Sequence, residues 1–188
     1  MSLSSFFARL LGRPAPAPAP VSAAAHRWPA FTFELPADWD VVPANKFVTK
    51  FKARYNGPAF AFITVGAQRC LLPTDPVPMP YTDAWHAYDT IGEARFRAEF
   101  EQMPEARTRI LSVRKTTFAG RPALYIDYEL TPYERPEGAV RLRFYKILHE
   151  QLWFGIGRST LVSDPHQQLT EMAAIVRTFR FTGGWAEA

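Results

Sequence analysis

RILSVRKTTF (109–118), ALYIDYEL (123–130), VRLRFYKIL (140–148) and LWFGIG (152–157) follow one another with short breaks, and DPHQQLTEMAAIVRTFRF (164–181) comes next. Apolar and polar residues alternate in the first three runs, which marks them as strands. Gly120-Arg121-Pro122 and TPYERPEG (131–138) carry the residues that reverse a chain. The third run passes through HEQ (149–151) into the fourth. The last segment reads as a helix with a short extended end. Asp164 is a suitable N-cap and Pro165 fits the first helical position. Leu169, Met172, Ala173, Val176 and Phe179 would then cover one sheet face, with Ile175 at the stripe's edge. This order predicts an α+β fold, a central antiparallel sheet flanked by helices. It names no reaction.

Upstream, AFTFELP places Phe31, Phe33 and Leu35 on one side of a first strand. PADWD (36–40) is a turn whose Trp39 packs back on the core. VVPANKFVTKFKARY (41–55) is a mixed strand region, Asn56-Gly57 signals a hairpin, and AFAFITVGAQ (59–68) is the returning partner. Leu71 to Pro80 carries four prolines and reads as a surface loop. Thr82 or Asp83 caps a helix running to about Met103, weakened in the middle by Gly92. The expected organisation is a short amphipathic segment (1–13), a Pro/Ala-rich linker (14–27), an α+β domain (28–182) and a tail (183–188).

The N-terminus forms a separate unit, a disordered or helical extension. Leu3, Phe6, Phe7, Leu10 and Leu11 share one face of a predicted ten-residue helix that Gly12 and Pro14 stop. A helix shorter than ~12–15 residues is marginal alone in water, so it needs something to receive it. Phe6, Phe7, Leu10 and Leu11 are therefore candidates for docking on a membrane surface or a partner. A secretory signal is a second reading, though Arg9 interrupts the apolar stretch such a signal needs. A poorly ordered terminus is the third. The strict Pro-Ala alternation from Pro14 to Pro20 favours an extended, semi-rigid spacer.

The chain has 22 basic and 18 acidic residues, a net charge of +4. Arg9, Arg13 and Arg27 supply three of those four before residue 28, leaving 19 bases against 18 acids in the rest. A folded domain so near neutrality lacks the clustered charge of a phosphate-binding surface, so no nucleic acid is expected as partner. Cys70 is the single cysteine, which excludes an intrachain disulfide and a multi-cysteine zinc site. His26, His86, His149 and His166 show no paired-ligand spacing. Neither a metal nor a cofactor is expected. A lone thiol suits a cytoplasmic or membrane-peripheral location, and a cysteine-poor periplasmic protein would look alike.

FTFELPADW (31–39), FAGRPALYIDYEL (118–130) and MAAIVRTFRF (172–181) together resemble the PsbP-like fold. That superfamily includes the photosystem extrinsic PsbP proteins, a Ran-binding nuclear protein and bacterial DcrB-like domains. The resemblance covers about residues 28–182 and implies a sheet flanked by helices. Its motifs are structural and imply no chemistry. Lipid-anchored DcrB-like proteins carry an N-terminal cysteine that this chain lacks, so that anchor does not carry over. Chaperones that hold hydrophobic segments of type VI secretion effectors share the fold, which adds a hydrophobic protein segment to the expected partners.

Asp127 and Glu129 lie two apart on one strand, and Arg141 and Arg143 lie two apart on the next. If Glu129 pairs with Arg141, Asp127 falls opposite Arg143, giving a cross-strand ladder on a solvated face. Used catalytically, such carboxylates would serve as acid and base, but adjacent arginines favour the ionised form and oppose the acid role. By strand parity Tyr125 and Tyr145 share this face. Trp153 joins them if no bulge intervenes, and Trp85 approaches from the helix. These four residues, Trp85, Tyr125, Tyr145 and Trp153, are the candidate ligand- or partner-binding set. Gly155 and Gly157 form only a weak phosphate-loop signal and read instead as places for a bend or close helix packing. The predicted role is a non-catalytic binding or adaptor domain. An enzyme with a cleft between sheet and helix is the alternative.

Overall fold

A computed structural model describes residues 25–28, 31–44, 49–57, 61–68, 71–72, 80–102, 106–134, 136–149, 151–163 and 170–182. The predicted N-terminal helix, the Pro-Ala stretch, Cys70, the predicted proline loop from Pro73 to Met79 and the predicted helix start at Asp164 lie outside them. The described strands are β1 (Ala25–Trp28), β2 (Phe31–Glu34), β3 (Trp39–Val41), β4 (Thr49–Tyr55), β5 (Ala61–Gln68), β6 (Ala106–Phe118), β7 (Arg121–Pro132), β8 (Val140–His149), β9 (Leu152–Leu161) and β10 (Arg180–Phe181). The helices are α1 (Ala84–Ile91), α2 (Glu93–Glu101) and α3 (Thr170–Thr178). Strand β1 takes in Ala25 to Arg27 at the end of the predicted linker and pairs with β2.

Seven strands form one antiparallel sheet in the order β3-β4-β5-β9-β8-β7-β6, and β1-β2-β10 form a small second sheet. The architecture is the α+β arrangement expected. Each face of the large sheet is packed. On one face β2 and α3 deliver Phe31, Phe33, Met172, Ile175 and Phe179 onto Phe51, Ile63, Val65, Phe118, Ile147, Phe154 and Ile156. Phe31 and Phe33 stack on Phe179 with ring centroids 5.4 and 6.0 Å apart. Burying each such side chain contributes about 1.5–3 kcal/mol. The other face takes Ala84, Ala87, Ile91, Phe96 and Phe100 from α1 and α2 onto Ile110, Leu124, Ile126, Leu148 and Trp153.

The helix predicted from 82 to 103 is two helices. Asp83 caps the first, its Oδ1 accepting from the backbone N–H of Trp85 (2.8 Å) and His86 (2.9 Å). Gly92, at φ 80° and ψ 144°, ends α1 and starts α2. A left-handed φ of this kind is what glycine permits without strain.

Candidate binding face on the central sheet

The predicted hairpin register between β7 and β8 is the observed one: Asp127 lies opposite Arg143, Glu129 opposite Arg141, and Tyr125 opposite Tyr145. Across the sheet, Arg158 of β9 continues the Asp127–Arg143 row and Thr160 continues the Glu129–Arg141 row. A register shift in β6 between Ile110 and Ser112 turns Ser112 and Arg114 onto this same face, opposite Asp127 and Tyr125.

The ion pairs do not run straight across. Asp127 is gripped diagonally by Arg141, whose Nε donates to Oδ1 at 2.8 Å and whose Nη2 donates to Oδ2 at 2.6 Å. Arg143 Nε stands 3.7 Å from the same Oδ2. Glu129 turns the other way and accepts from Arg109 Nη2 of β6 at 2.6 Å. This fork-shaped match of guanidinium to carboxylate is the strong form of an ion pair.

The cluster departs from the solvated face that its sequence suggests. Asp127, Arg143 and Arg158 are 7, 8 and 3 % exposed. The hydrogen bond to Asp127 holds Arg141 above the usual arginine range. Burial, and then the neighbouring Arg141 charge, push Arg143 below it. Arg158 stands opposite Ile63 of β5, and its guanidinium lies 5.9 Å from the Trp39 ring centroid. Two further buried polar atoms on this face, Trp39 Nε1 and Thr160 Oγ1, make no hydrogen bond among the described residues.

Next to the charges stand the two tyrosines, edge to face with centroids 5.3 Å apart. Arg114 lies over Tyr125 at 4.5 Å, and Phe118 flanks Tyr145 at 4.9 Å. Burial raises both phenols, Tyr125 further through the Asp127 charge. The structure thus brings together two of the four sequence candidates. It separates the other two. Trp153 is fully buried on the opposite face, among Leu71, Leu72 and Tyr81. The parity argument failed at the β8–β9 turn, where His149 pairs with Leu152. A two-residue turn makes partner numbers sum to an odd value, so odd positions of β8 share a face with even positions of β9. Ile156, not Trp153, continues the tyrosine row. Trp85 belongs to α1, the helix covering that other face. Its indole N–H donates to the carbonyls of Thr116 (2.9 Å) and Ala123 (3.1 Å), tying the helix to the sheet.

Sequence reasoning missed Arg158, Arg114 and Trp39 as members of this face. Odd-sum pairing would have found Arg158; the bulge that turns Arg114 inward has no sequence signal. Among the described residues no group of three His, Cys, Asp or Glu could hold a metal, and no helix is long and apolar enough to cross a membrane.

Comparison with solved structures agrees with this architecture. CyanoP, the cyanobacterial PsbP of Synechocystis sp. PCC 6803, superposes with a TM-score of 0.52 at 12% identity, covering 92% of this chain and 99% of its own. The fold is PsbP-like. LpqN, involved in cell envelope biogenesis of Mycobacterium tuberculosis, superposes with a TM-score of 0.50 at 11% identity, covering 81% of this chain and 83% of its own. At such identities the likeness concerns the fold alone. No protein-family profile matches the sequence, and no curated protein does.

Proposed function

We propose that this PsbP-like domain is a non-catalytic binding module, and that its arginine-rich, tyrosine-flanked sheet face holds an acidic segment of a partner protein. The observation that carries this reading is the fork between Arg141 and Asp127. It occupies both oxygens of the face's buried carboxylate with arginine donors. A carboxylate engaged in that way positions arginines; it is not presented to a substrate as acid or base. Around it stand Arg109, Arg114, Arg141, Arg143 and Arg158, five arginines to the two carboxylates of Asp127 and Glu129. Arginine and tyrosine are the side chains that most often anchor protein interfaces. The apolar residues Phe6, Phe7, Leu10 and Leu11 of the N-terminal segment add docking to a membrane surface, and the envelope role of LpqN is compatible with such a setting.

Arg114 is exposed at the rim, so its charge can be reversed without disturbing the core. Quantitative co-purification with wild type and Arg114→Glu should show a partner lost in the variant. An identical set of captured proteins would defeat the acidic-segment reading. Liposome flotation with and without residues 1–20 addresses the membrane part, and unchanged partitioning would sink it.

A further inference from the structure

Strand β6 closes one side of the large sheet, and among the described residues its only neighbour in that sheet is β7. Along a strand, residues that share a side-chain face also turn their N–H and C=O groups to the same side. Ile110 tells which side faces out. Glu101 Oε1 of α2 accepts from its N–H at 2.9 Å, and Arg97 Nη1 of α2 donates to its carbonyl at 3.4 Å. The backbone of Ile110 is thus engaged by α2 and not by β7. Ala106 and Thr108 share its face, and beyond the bulge Val113, Lys115 and Thr117 do so. These six residues offer their backbone to the outer edge.

The edge has a closed half and an open half. Ala106, Thr108 and Ile110 are buried, whereas Val113 is half-buried and Lys115 and Thr117 are exposed. Among the described residues no hydrogen bond reaches the outward groups of these last three. The Trp85 indole touches the carbonyls of Thr116 and Ala123, which are register partners, so it sits over the seam between β6 and β7. Residues 112–118 are therefore an unpaired stretch as long as an ordinary strand, and such an edge is a template for another chain.

Charge selects the occupant. Strand β6 carries Arg107, Arg109, Arg114 and Lys115 and no acidic residue. On the open half, Arg114 is exposed over the Tyr125 ring and has no ion pair among the described residues. Lys115, on the other face, meets Asp89 of α1 at 2.5 Å in an exposed pair of the kind that holds little. An incoming strand thus finds a cation on each face of the sheet. A second copy paired antiparallel over 112–118 would set the two Lys115 side chains directly opposite, which is destabilising. Residues 1–24 of this chain contain Arg9 and Arg13, no acid, and prolines that give a ladder no donor. A segment with carboxylates on neighbouring residues, which point to opposite faces, answers both cations.

Resting on the acidic-segment reading of the sheet face, we propose that the segment binds as an added β-strand on the open half of β6. Its backbone pairs with Val113, Lys115 and Thr117, and its carboxylates meet Arg114 on one face and Lys115 on the other. Backbone pairing supplies affinity that depends little on sequence, and the two cations select the sign of charge.

The probe is a capped heptapeptide, Val-Thr-Glu-Glu-Thr-Val-Thr, added to the full chain. Its controls are a twin with both glutamates replaced by lysine and two twins N-methylated at alternate residues, one in each frame. A strand pairs through one edge, so one N-methylated twin should bind at least about tenfold more weakly than the other. Amide exchange read by NMR at Val113, Lys115 and Thr117 should slow at least about fivefold with the acidic peptide and stay unchanged with the lysine twin. Thr117→Pro removes one outward N–H without touching charge, in a place where an edge strand tolerates proline. It should weaken binding while the melting temperature holds. Binding that Arg114→Glu abolishes, but that both N-methylated twins retain and that leaves the three amides exchanging freely, overturns strand addition and keeps the acidic-segment reading. No binding of the acidic peptide at millimolar concentration, or equal binding of the lysine twin, overturns both. The N-methylated twins act on the wild-type chain, so a Thr117→Pro variant that fails to fold does not remove the test.

Discussion

Two acidic residues two positions apart on β7 lead to different predictions. Asp127 is buried and serves Arg141 and Arg143, whereas Glu129 pairs with Arg109, whose side chain is 68 % exposed. Removing one partner of a buried pair leaves an uncompensated charge, at a cost of about 3–5 kcal/mol, while an exposed pair is worth about 0–1 kcal/mol. Asp127→Asn should therefore lose about 2–4 kcal/mol of stability in urea unfolding and Glu129→Gln less than about 1 kcal/mol. Equal losses would mean that the two carboxylates are equally important to the fold. The sequence showed which residues stand opposite one another but not the diagonal choice. That choice depends on the reach of the arginine side chain, and register does not encode it. Lys146 supplies the pH dependence. Its folded pKa of about 8 lies below the unfolded value near ~10.4. Below pH 8 the amine is protonated in both states and its burial penalty is fully present. Between about pH 8 and 10 the unfolded chain keeps a proton that the folded one has released, so stability rises with pH. Lys52, also pushed down by burial, adds to that rise, and the raised tyrosines oppose it at the alkaline end. The informative quantity is thus the difference from Lys146→Met. The variant should be more stable at pH 7 by about 1–2 kcal/mol, with the gap closing by pH 10. A constant gap across that range would show that the amine is not desolvated.

At the level of elements, β9 was the strand whose sequence was hardest to read. Its run LWFGIG was seen as a strand, but its facing was inverted, because a two-residue turn changes parity and nothing in HEQ announces the turn's length. Its glycines were read as a bend or a helix contact. Instead each accommodates a side chain of β8, the Phe144 ring over Gly157 and the Lys146 amine over Gly155. These two positions should respond differently to the same substitution. A methyl at Gly157 would strike the Arg143 carbonyl and the Phe144 ring, the latter at 2.5 and 2.7 Å. At Gly155 it meets the far end of a flexible lysine. Backbone cannot yield without disturbing the β8–β9 ladder, whereas a lysine end can swing away. Gly157→Ala should cost about 2–4 kcal/mol and Gly155→Ala less than about 1 kcal/mol, read as shifts in the thermal midpoint at constant pH. If both variants melt alike, the close approach of Phe144 to β9 is not what requires glycine there.

For the whole molecule, element order was legible because each element needs its own cover. Seven strands with apolar residues on both faces require two covering layers, and the helix-forming stretches at 82–103 and 164–179 were the available supply. The contribution of the N-terminal side was less legible. The run of prolines and alanines suggested a linker up to residue 27, yet Ala25 to Trp28 form β1 along the edge of β2. Strand β2 carries Phe31 and Phe33 into the core shared with α3, so its outer edge is either paired by β1 or left as a row of open backbone groups. The structured domain thus reaches back at least to Ala25, and two truncations test how much further it extends. Removing residues 1–20 should leave the melting temperature within about 2 °C of the full chain, because 1 kcal/mol corresponds to ~2–4 °C at this size. Removing residues 1–30 strips β1 from β2 and should lower it by more than about 5 °C, with amide exchange speeding first in β2 and α3. A large drop already at residue 20 would place part of the N-terminal segment in the domain's core, where deletion would no longer separate a docking role from a folding one.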